Sequence, residues 1–568
     1  MINFLKSTIL FTSILSNSVG ASWVEVGKQK SSHQDYFGHA ISISSKLLVV
    51  GAPYYTPPNS NMQDAGIAKI YERDGNKFKL VHEIEGKALD QAGQSVAVSR
   101  GTGSGEYGQE MVIVGSPRSN QGGRDSGLAQ VFYYSNLHEK WAQLGQDLVG
   151  GDEGELFGET VAISNDGLLI AVGTSVGDGL RRGKVVIYTL AEVSKKWEQT
   201  GFTLYGEKQG EEFGTSISIE QLDTDEDNLE KYYIAIGGPK YGRGTGIVRV
   251  YQYDEDNADW GQMGEDLEGM EAQEHFGQSL SLGMTNSSHL NLIVGSPSKP
   301  GFGFEENNDG KSTDAHVQIF SYNTNRGDNT DWIEFGTEFE QLDDSDGTGD
   351  VVVFSDDGKY IAIGSPKFQE GRGAVRVFVY DQKRHDFRSV GKPMYGKDSE
   401  GLGTSLAFSG DELAIGSPFK NSVKIMKFHE ASKKKSGFGK FIVNLFVFGI
   451  LGTVVFVLYK NLKKRGFKFS SLVAAMPGAA AIRSHRGRTA VDTNENDEWP
   501  FGFFSPGDKE RIMEARRAEE GRTNVDAVRL HGMPKSASQD ESSESDSDDD
   551  DSYGGKKGDK KTEMRNIT

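Results

Sequence analysis

The side chains best suited to chemistry in this chain form a short acidic series. Asp223, Asp225, Asp227 and Glu230 place carboxylates at alternate positions and once more three residues later. In a tight loop, residues i, i+2 and i+4 can point their oxygens inward, and hard cations such as Ca²⁺ bind oxygen ligands. The series therefore predicts a calcium site, with a solvated acidic loop as the alternative.

A second acidic cluster consists of Asp343, Asp344, Asp346 and Asp350. It ranks below the first because it precedes a predicted strand, whereas Asp223–Glu230 lies between two. Carboxylates gathered in this way are also typical of a solvated surface loop. We therefore expect calcium at the first series in preference to the second.

Two short motifs are typical of cell-surface proteins. Arg326-Gly327-Asp328 is the adhesion tripeptide, but tripeptides recur by chance, and the neighbouring Asn325 and Asn329 are ordinary turn formers. Asn286 begins the glycosylation sequon Asn286-Ser287-Ser288 between two predicted strands. A glycan on Asn286 is expected if this segment is lumenal.

Motifs for catalysis are poorly matched. The glycines of residues 103–108 fit a dinucleotide fingerprint by letters, but a strand, residues 111–114, follows where a helix is needed. Gly310-Lys311-Ser312 resembles the end of a P-loop, yet Glu305 stands where the first glycine must be. The chain has no cysteine, so thiol chemistry is excluded. We expect no enzymatic activity.

The charge of the chain also restricts its partners. With 62 basic and 82 acidic residues, the formal net charge is −20. Nucleic-acid binding needs a basic face to neutralise phosphates, and the repeats described next carry none. We expect no nucleic-acid partner.

A sevenfold repeat must position all of these residues. Each copy begins with a Phe-Gly-like pair, here termed the opener, and ends a hydrophobic run with Gly-Ala-Pro, Gly-Ser-Pro or a variant, here termed the closer. A repeat of short strands with this period predicts a propeller or an array, because one unit cannot bury its own faces. The openers are Phe37-Gly38, Ala92-Gly93, Phe157-Gly158, Phe213-Gly214, Phe276-Gly277, Thr348-Gly349 and Leu402-Gly403. The closer glycines are Gly51, Gly115, Gly173, Gly237, Gly295, Gly364 and Gly416.

Each repeat contains four strand-like segments. The first alternates apolar and polar residues, as a half-buried strand does. The second is continuously apolar, as in residues 47–50 and 168–172, so we expect it to be buried on both faces and to lie near the ring's centre. The closer glycine is expected to permit close backbone approach there. Turns such as Ser164-Asn165-Asp166-Gly167 supply residues that tolerate positive φ.

The ends of the array predict that it closes. The fourth segment has an aromatic residue, an apolar residue three later, and then glycine. This segment is absent from the seventh repeat, which stops at Phe428, but Trp23, Val26 and Gly27 supply it before the first opener. The fold predicted is all-β: a seven-bladed β-propeller of four-stranded blades, residues 22–429, closed by an N-terminal strand.

The openers and closers are the residues that define the FG-GAP repeat, and residues 23–428 resemble the seven-bladed propeller of integrin α subunits. That resemblance implies ligand binding by loops on one face and calcium loops between first and second strands, where Asp223–Glu230 lies. The family's calcium loop has glycine after its third acid and a further acid three residues later. Asn228 and Lys231 stand at those places, so this loop departs from the pattern. Integrin ectodomains also carry disulfides, which this chain cannot form.

Two apolar segments predict membrane targeting. Residues 1–21 resemble a cleavable secretory signal, with a disordered cytosolic N-terminus as the alternative. Residues 441–459 form an apolar run that, at about 1.5 Å per residue, spans roughly 28 Å and matches a bilayer core of about 30 Å. Together they predict a single-pass type I protein with the propeller extracellular or lumenal, in the cell membrane or an endomembrane.

The regions that flank the predicted span are short or polar. Residues 430–440 form only a short stalk, which leaves no room for the leg domains of an integrin. Residues 460–568 form a cytoplasmic tail that we expect to be mostly disordered. Its acidic, serine-rich part, residues 536–551, suits a cytoplasmic kinase or an adaptor, with a solubilising acidic run as the alternative.

The function expected is adhesion or reception, in which the propeller binds an extracellular protein or glycan through loops on one face. The loops expected to make contact are Tyr54–Ala65, Lys299–Asp314 and Asp254–Asp259. The alternative is a structural or assembly scaffold of a cell wall, vesicle or secretory compartment. A membrane-tethered hydrolase is the third possibility, but the chain has no room for a catalytic domain.

Overall fold

The propeller is built from seven antiparallel sheets, one for each sequence repeat. In a computed structural model, the described residues are 22–429 except 76, 102–108, 178, 224–229, 287–288, 298–314, 325–330, 344–345 and 382, together with 460–461 and 464–465. The predicted all-β fold of four-stranded blades is confirmed for this part of the chain.

The strands follow one another in chain order through the blades. The list gives blades one to seven, after β1, which belongs to blade seven: β1 (Ser22–Lys30); β2 (Ile41–Ile43), β3 (Leu47–Ala52), β4 (Ile67–Asp74), β5 (Lys77–Glu85); β6 (Ser95–Val98), β7 (Met111–Ser116), β8 (Leu128–Ser135), β9 (Lys140–Gln143), β10 (Leu148–Val149); β11 (Thr160–Ile163), β12 (Leu169–Thr174), β13 (Lys184–Leu190), β14 (Trp197–Gln199), β15 (Leu204–Tyr205); β16 (Ser216–Asp223), β17 (Glu230–Gly238), β18 (Ile247–Asp254), β19 (Asp259–Gln262), β20 (Leu267–Glu268); β21 (Ser279–Asn286), β22 (His289–Ser296), β23 (His316–Asn323), β24 (Ile333–Glu334), β25 (Phe339–Glu340); β26 (Val351–Phe354), β27 (Tyr360–Ser365), β28 (Ala374–Asp381), β29 (Asp386–Ser389), β30 (Met394–Tyr395); β31 (Leu406–Ser409), β32 (Glu412–Ser417), β33 (Ser422–His429). Short helical turns lie between second and third strands: α1 (Tyr241–Gly244), α2 (Phe368–Gly371) and a 3₁₀ turn (Pro418–Lys420).

The outermost strand is split in blades two to six, where two short segments pair with the same third strand. A glycine of left-handed φ lies at each split: Gly145, Gly201, Gly264, Gly336 and Gly391. In blade one, His82 occupies the corresponding position and β5 continues without a split. The glycine that recurs four residues after the aromatic residue in these five blades therefore marks a bend in the outer strand.

The order of strands within a blade corrects one expectation from the sequence. The innermost strands are the first ones, from β2 to β31, which contact the first strands of both neighbouring blades around the ring. The second strands, predicted to lie near the centre, are one place further out. They are buried on both faces, as in β3 and β12, because each is covered by the blades on either side.

The core of the protein lies between the blades. Seven clusters of buried hydrophobic residues each combine side chains of two adjoining blades. One of them joins Ile43 and Tyr71 of blade one to Val423 and Ile425 of blade seven. Every blade is thus held by apolar contact with the next, including the last with the first.

Each closer glycine lies against the opener of the following blade. A Cβ on Gly51 would clash with the carbonyl oxygen of Gly93, and a Cβ on Gly416 would clash with that of Gly38. All seven opener glycines have left-handed φ, between 82° and 94°. The remaining close pairs are Gly115 with Gly158, Gly173 with Gly214, Gly237 with Gly277, Gly295 with Gly349, and Gly364 with Gly403. The two glycines of the repeat therefore permit close backbone approach between blades.

The ring closes through the N-terminal strand. β1 pairs antiparallel with β33 from Ser22 opposite His429 to Lys30 opposite Ser422, with one bulge. Trp23 packs against Phe428 of β33 and against Tyr360 and Phe408 of blades six and seven. The predicted closing strand is confirmed, and it leaves no unpaired edge at this joint.

The predicted signal, residues 1–21, and the predicted span, residues 441–459, lie outside the described residues, as do most of the stalk and tail. None of the helices described is long and apolar enough to cross a membrane.

Candidate ligand-binding face

The two ends of the ring differ in the connections that they carry. Connections from second to third strands, and from each outer strand to the next blade, lie at one end, here termed the loop face. Hairpins between first and second strands, and connections from third to outer strands, lie at the other end, here termed the turn face. This separation follows from the antiparallel order of the strands.

Three exposed aromatic side chains meet on the loop face, and we term them the aromatic cluster. The ring of Tyr36 lies 5.0 Å from that of Tyr54 and 5.7 Å from that of Phe419, between centroids. Both contacts are edge-to-face, with interplanar angles of 64° and 69°. The three residues are 39%, 40% and 57% exposed. The cluster joins loops of blades one and seven.

The backbone around Tyr36 holds its ring outward. Tyr36 has a left-handed φ of 58° and stands between buried Asp35 and buried Phe37. The Asp35 carboxylate accepts hydrogen bonds from the Phe37 amide at 3.1 Å and from the Ser31 hydroxyl at 2.6 Å. Because its neighbours on both sides are buried and fixed, the Tyr36 side chain is presented at the surface.

Tyr54 and Phe419 come from matching connections of adjacent blades. Tyr54 follows the closer of blade one, in the loop Tyr54–Ala65 that the sequence analysis singled out. Phe419 lies in the 3₁₀ turn that follows the closer of blade seven, and Asn421 ends that turn with a left-handed φ of 47°. Rigid turns position both rings, which limits the entropy that a ligand must overcome on binding.

A ring of buried acids supports the loop face, and, apart from Asp346, these acids were not among the residues predicted from the sequence to be functional. Every repeat has an acidic residue two positions before the first residue of its opener, and each is at most 5% exposed. The seven are Asp35, Asp90, Glu155, Glu211, Glu274, Asp346 and Glu400. The signal was available in the sequence, because the spacing to the opener is the same in all seven repeats.

Several of these acids pair with a basic side chain on the third strand of their own blade. Glu155 contacts Lys184 at 2.8 Å, Glu400 contacts Lys424 at 2.6 Å, and Glu274 contacts His316 at 3.1 Å. Burial alone would raise the pKa of Glu274 and Glu400. Hydrogen bonds from His316 and Lys424 outweigh burial and lower the pKa of both carboxyls. Glu274 and Glu400 are therefore ionised anchors of the loops.

The most buried pair is that of Arg249 and Glu211. Arg249 Nη1 donates to Glu211 Oε1 at 2.6 Å, and the two side chains are 1% and 0% exposed. Arg249 Nε also donates to Asp266 at 3.0 Å. Burial opposes the charge of Arg249, but the carboxylates of Glu211 and Asp266 outweigh it and raise the pKa of the guanidinium. This pair is structural, because a buried charge needs a partner.

The predicted calcium series is only partly described. Asp223 ends β16 and Glu230 begins β17, and their backbones pair as opposite residues of the hairpin. Asp225 and Asp227 lie outside the described residues, so the predicted site stays a prediction. Among the residues that are described, no group of three or more acidic or histidine side chains is arranged to hold a metal ion.

The second acidic cluster is used for folding where the structure describes it. Asp346 is buried, and its carboxylate accepts hydrogen bonds from the amides of Leu342 and Thr348 at 2.8 Å and 2.7 Å. Asp350 pairs with Lys367 at 2.6 Å. Asp344 is not described. These contacts make Asp346 one of the seven buried acids and not a free metal ligand.

Most of the remaining sequence motifs lie next to, or within, segments outside the described residues. Asn286 is the last residue of β21 and pairs with His289 across the hairpin. Residues 325–330, which include Arg326-Gly327-Asp328, lie outside the described residues, as does the loop Lys299–Asp314. The loop Asp254–Asp259 lies on the turn face, where the Asp254 carboxylate accepts hydrogen bonds from Asn257.

The central channel is crossed by an ion pair near the turn face. Arg100 of blade two contacts Asp356 of blade six at 2.6 Å, although the two blades are not neighbours. Glu220 of blade four lies close to both charges, and burial raises its pKa to about 7 against the favourable effect of Arg100. Asp356 also accepts a hydrogen bond from the Gly410 amide of blade seven. Side chains of three blades and a backbone amide of a fourth therefore meet at the mouth of the channel.

Comparisons with known proteins found only distant structural similarity. No protein-family model matches the chain, and no curated protein matches it. Among solved structures, Raptor from Chaetomium thermophilum is 10% identical, with a TM-score of 0.44 over 72% of this chain and 29% of that chain. Sqt1 from the same organism is 12% identical, with a TM-score of 0.41 over 72% of this chain and all of that chain. The present chain therefore spans less than a third of the length of Raptor.

Proposed function

We propose that this protein is a single-pass type I membrane protein of the FG-GAP type whose extracellular or lumenal propeller binds a protein ligand on its loop face. The observation that carries the proposal is the aromatic cluster of Tyr36, Tyr54 and Phe419. Each ring is more than a third exposed, although a large aromatic side chain gains most when it is buried.

The composition of the cluster suits a protein interface. Tyrosine and other aromatic residues are enriched where interfaces carry most of their binding energy, and such residues group near the centre of the contact. Exposed apolar patches of this kind mark interaction sites more often than chance surface. Three rings from two blades supply such a centre on a rigid base.

The geometry of the cluster suits a protein ligand. The ring planes of Tyr54 and Phe419 are inclined by 64° and 69° to that of Tyr36. Inclined rings form a corrugated surface that accepts apolar side chains between them. A glycan ligand is the alternative that the experiment below separates.

Both described ends of the propeller lie at the face opposite the aromatic cluster. Both ends of the propeller, Ser22 and His429, are paired with each other at the turn face. The stalk predicted at residues 430–440 therefore starts from the end of the ring opposite the aromatic cluster. A short tether at the turn face is compatible with a ligand at the loop face.

The ligand class and the topology can be tested on intact cells that express the protein. Fluorescent beads coated with the full chain in lipid nanodiscs should bind these cells, and trypsin treatment of the cells should abolish binding while glycosidase treatment should not. Loss of binding only after glycosidase would favour the glycan alternative.

The topology is tested with an epitope tag at residue 22. If the protein is at the cell surface, an antibody should label the tag on cells that have not been permeabilised. If the protein is in an internal membrane, the tag should be protected from protease in sealed vesicles. A tag that is exposed to the cytosol would contradict the topology.

A further inference from the structure

Adjacent blades are joined at their outer edge by a recurring tryptophan contact. The indole Nε1 of an outer-strand tryptophan donates to the carbonyl oxygen just before the split of the preceding outer strand. The four bonds are Trp197 to Leu144 at 3.0 Å, Trp260 to Thr200 at 3.1 Å, Trp332 to Met263 at 2.9 Å, and Trp23 to Val390 at 3.3 Å. We term this contact the indole latch.

The glycine at the split makes room for the indole latch. A Cβ on Gly145 would lie 2.6 Å from Cδ1 of Trp197, and a Cβ on Gly201 would lie 2.7 Å from Cδ1 of Trp260. Such distances are shorter than a carbon–carbon contact allows. A side chain at this position therefore excludes the latch.

The joint between blades one and two lacks the latch for this reason. His82 stands at the glycine position of β5, and the tryptophan that faces it from blade two is Trp141. Instead of donating to a blade-one carbonyl within the described residues, Trp141 stacks on His82 with centroids 5.9 Å apart and ring planes at 14°. Burial lowers the pKa of His82 against the opposing charge of Glu83, which favours the uncharged form of the stacked imidazole.

This joint opens into a cavity of about 630 Å³ on the turn-face side of the ring. That volume is within the range of small-molecule sites, about 300–1,000 Å³. Its wall combines the aromatic groups His82, Trp141 and Tyr134 with polar side chains that include Glu72 and Lys140. The rings of Tyr134 and Trp141 are in a T-shaped contact, with centroids 6.1 Å apart and ring planes at 71°.

The charges at the cavity are balanced. Lys46 and Lys140 offset Glu72 and Glu139. Glu110, the remaining acid of the wall, is buried and accepts a hydrogen bond from the Ser44 hydroxyl at 2.8 Å, so its carboxyl belongs to the neighbouring hairpin. An uncharged ligand with many hydroxyl groups suits an aromatic wall next to balanced donors and acceptors.

We propose that the cavity between blades one and two is a binding site for a neutral saccharide, which packs on the aromatic wall of Trp141 and Tyr134 and hydrogen-bonds to the polar side chains. This site is independent of the aromatic cluster, because it lies at the opposite end of the ring. The cavity forms where blade one has His82 in place of the glycine found at this position in the other outer strands.

The test uses the full chain purified in detergent and a panel of methyl glycosides of glucose, galactose, mannose and N-acetylglucosamine, with adenosine as a nucleoside probe. Saturation-transfer NMR should show at least one glycoside bound with a millimolar dissociation constant. Tyr134→Ala, an exposed position, should weaken that binding at least tenfold, and so should His82→Gly. Tyr205→Ala, at another exposed tyrosine, in blade three, should leave it unchanged.

Three results would overturn the proposal. One is the absence of a signal for every glycoside at about 20 mM, well above a millimolar dissociation constant. Another is binding of adenosine alone, which would make the site a nucleoside site. The third is glycoside binding that survives Tyr134→Ala in a chain whose melting temperature matches that of the wild type.

Discussion

The indole nitrogen of Trp23 donates to the carbonyl oxygen of Val390 at 3.3 Å, across 367 positions of sequence. With the pairing of β1 and β33, this bond makes the first strand of the propeller part of its last blade. Closure therefore depends on a residue that the sequence places outside all seven repeats.

Loss of the Trp23 side chain should loosen this closure. Trp23→Ala removes the contacts with Tyr360, Phe408 and Phe428, and should lower the free energy of unfolding by about 3 kcal/mol. Trp23→Phe keeps a ring but loses the hydrogen bond, and should cost about 1 kcal/mol. Urea unfolding of the purified chain measures both changes. Equal effects of the two substitutions would show that ring packing does not hold the closing strand.

The buried pair of Glu211 and Arg249 should be far more sensitive than an exposed pair. Glu211→Gln leaves the Arg249 guanidinium buried beside a neutral amide, which should cost about 3–5 kcal/mol. Glu83→Gln at the exposed Lys69–Glu83 pair is the matched control and should cost less than about 1 kcal/mol. The urea unfolding midpoints of the two variants measure the loss of stability in each. Similar midpoints would contradict a structural role for the buried acids.

The free energy of unfolding should decrease as the pH rises from 4.5, the ordinary pKa of a glutamate, to about 7, the pKa of Glu220 in the folded protein. The folded pKa of Glu220 is raised to about 7 from 4.5, so in this window the folded state holds a proton that the unfolded state has released. The full effect is about 3 kcal/mol. Acids with lowered pKa, such as Glu274 and Glu400, stabilise the fold above pH 4.5 and lose that effect only below it.

Glu220→Gln isolates this contribution. The variant should be more stable than the wild type at pH 8 and should show a flatter dependence of urea midpoint on pH from 5 to 7. The difference between the two proteins is the informative quantity, because Glu110 and Asp356, whose pKa values burial also raises, remain in both. Parallel curves for the two proteins would show that Glu220 does not titrate in this range.

Calcium at Asp223, Asp225, Asp227 and Glu230 remains a sequence prediction with a direct test. Millimolar calcium should raise the melting temperature of the full chain, because an ion that binds only the folded state stabilises it. Asp225→Ala should abolish the shift, whereas Asp343→Ala in the other acidic cluster should preserve it. An unchanged melting temperature in calcium, or a shift that survives Asp225→Ala, would exclude the site.

Much of the architecture could be predicted because each blade repeats the same local pattern. Three features of the sequence were sufficient to predict a closed seven-bladed ring. They are the alternation in the first strand, the apolar second strand, and the additional outer-strand segment at Trp23. The place of the second strand was wrong, since burial on both faces arises from neighbouring blades as well as from the centre of a sheet. Continuous apolar sequence reports burial but not distance from the axis.

The candidate sites were harder to predict because they depend on contacts between blades. Tyr36 and Tyr54 flank the β2–β3 hairpin of blade one, whereas Phe419 is far from both in the chain and meets Tyr36 only because blade seven closes on blade one. The His82–Trp141 stack likewise needs the alignment of two outer strands. The acids before the openers are the exception, since their constant spacing is visible in the sequence alone.

The most direct test of the account compares two triple variants of the full chain on nanodisc-coated beads. Tyr36→Ala, Tyr54→Ala and Phe419→Ala together remove the aromatic cluster, whereas Val193→Ala, Phe202→Ala and Ile333→Ala remove three other exposed apolar side chains. The measurement is bead binding to cells that express the protein, with equal melting temperatures as a condition. The account predicts at least tenfold weaker binding, about 1.4 kcal/mol, for the first variant and wild-type binding for the second. Wild-type binding by the cluster variant, or equal loss in both, would contradict it.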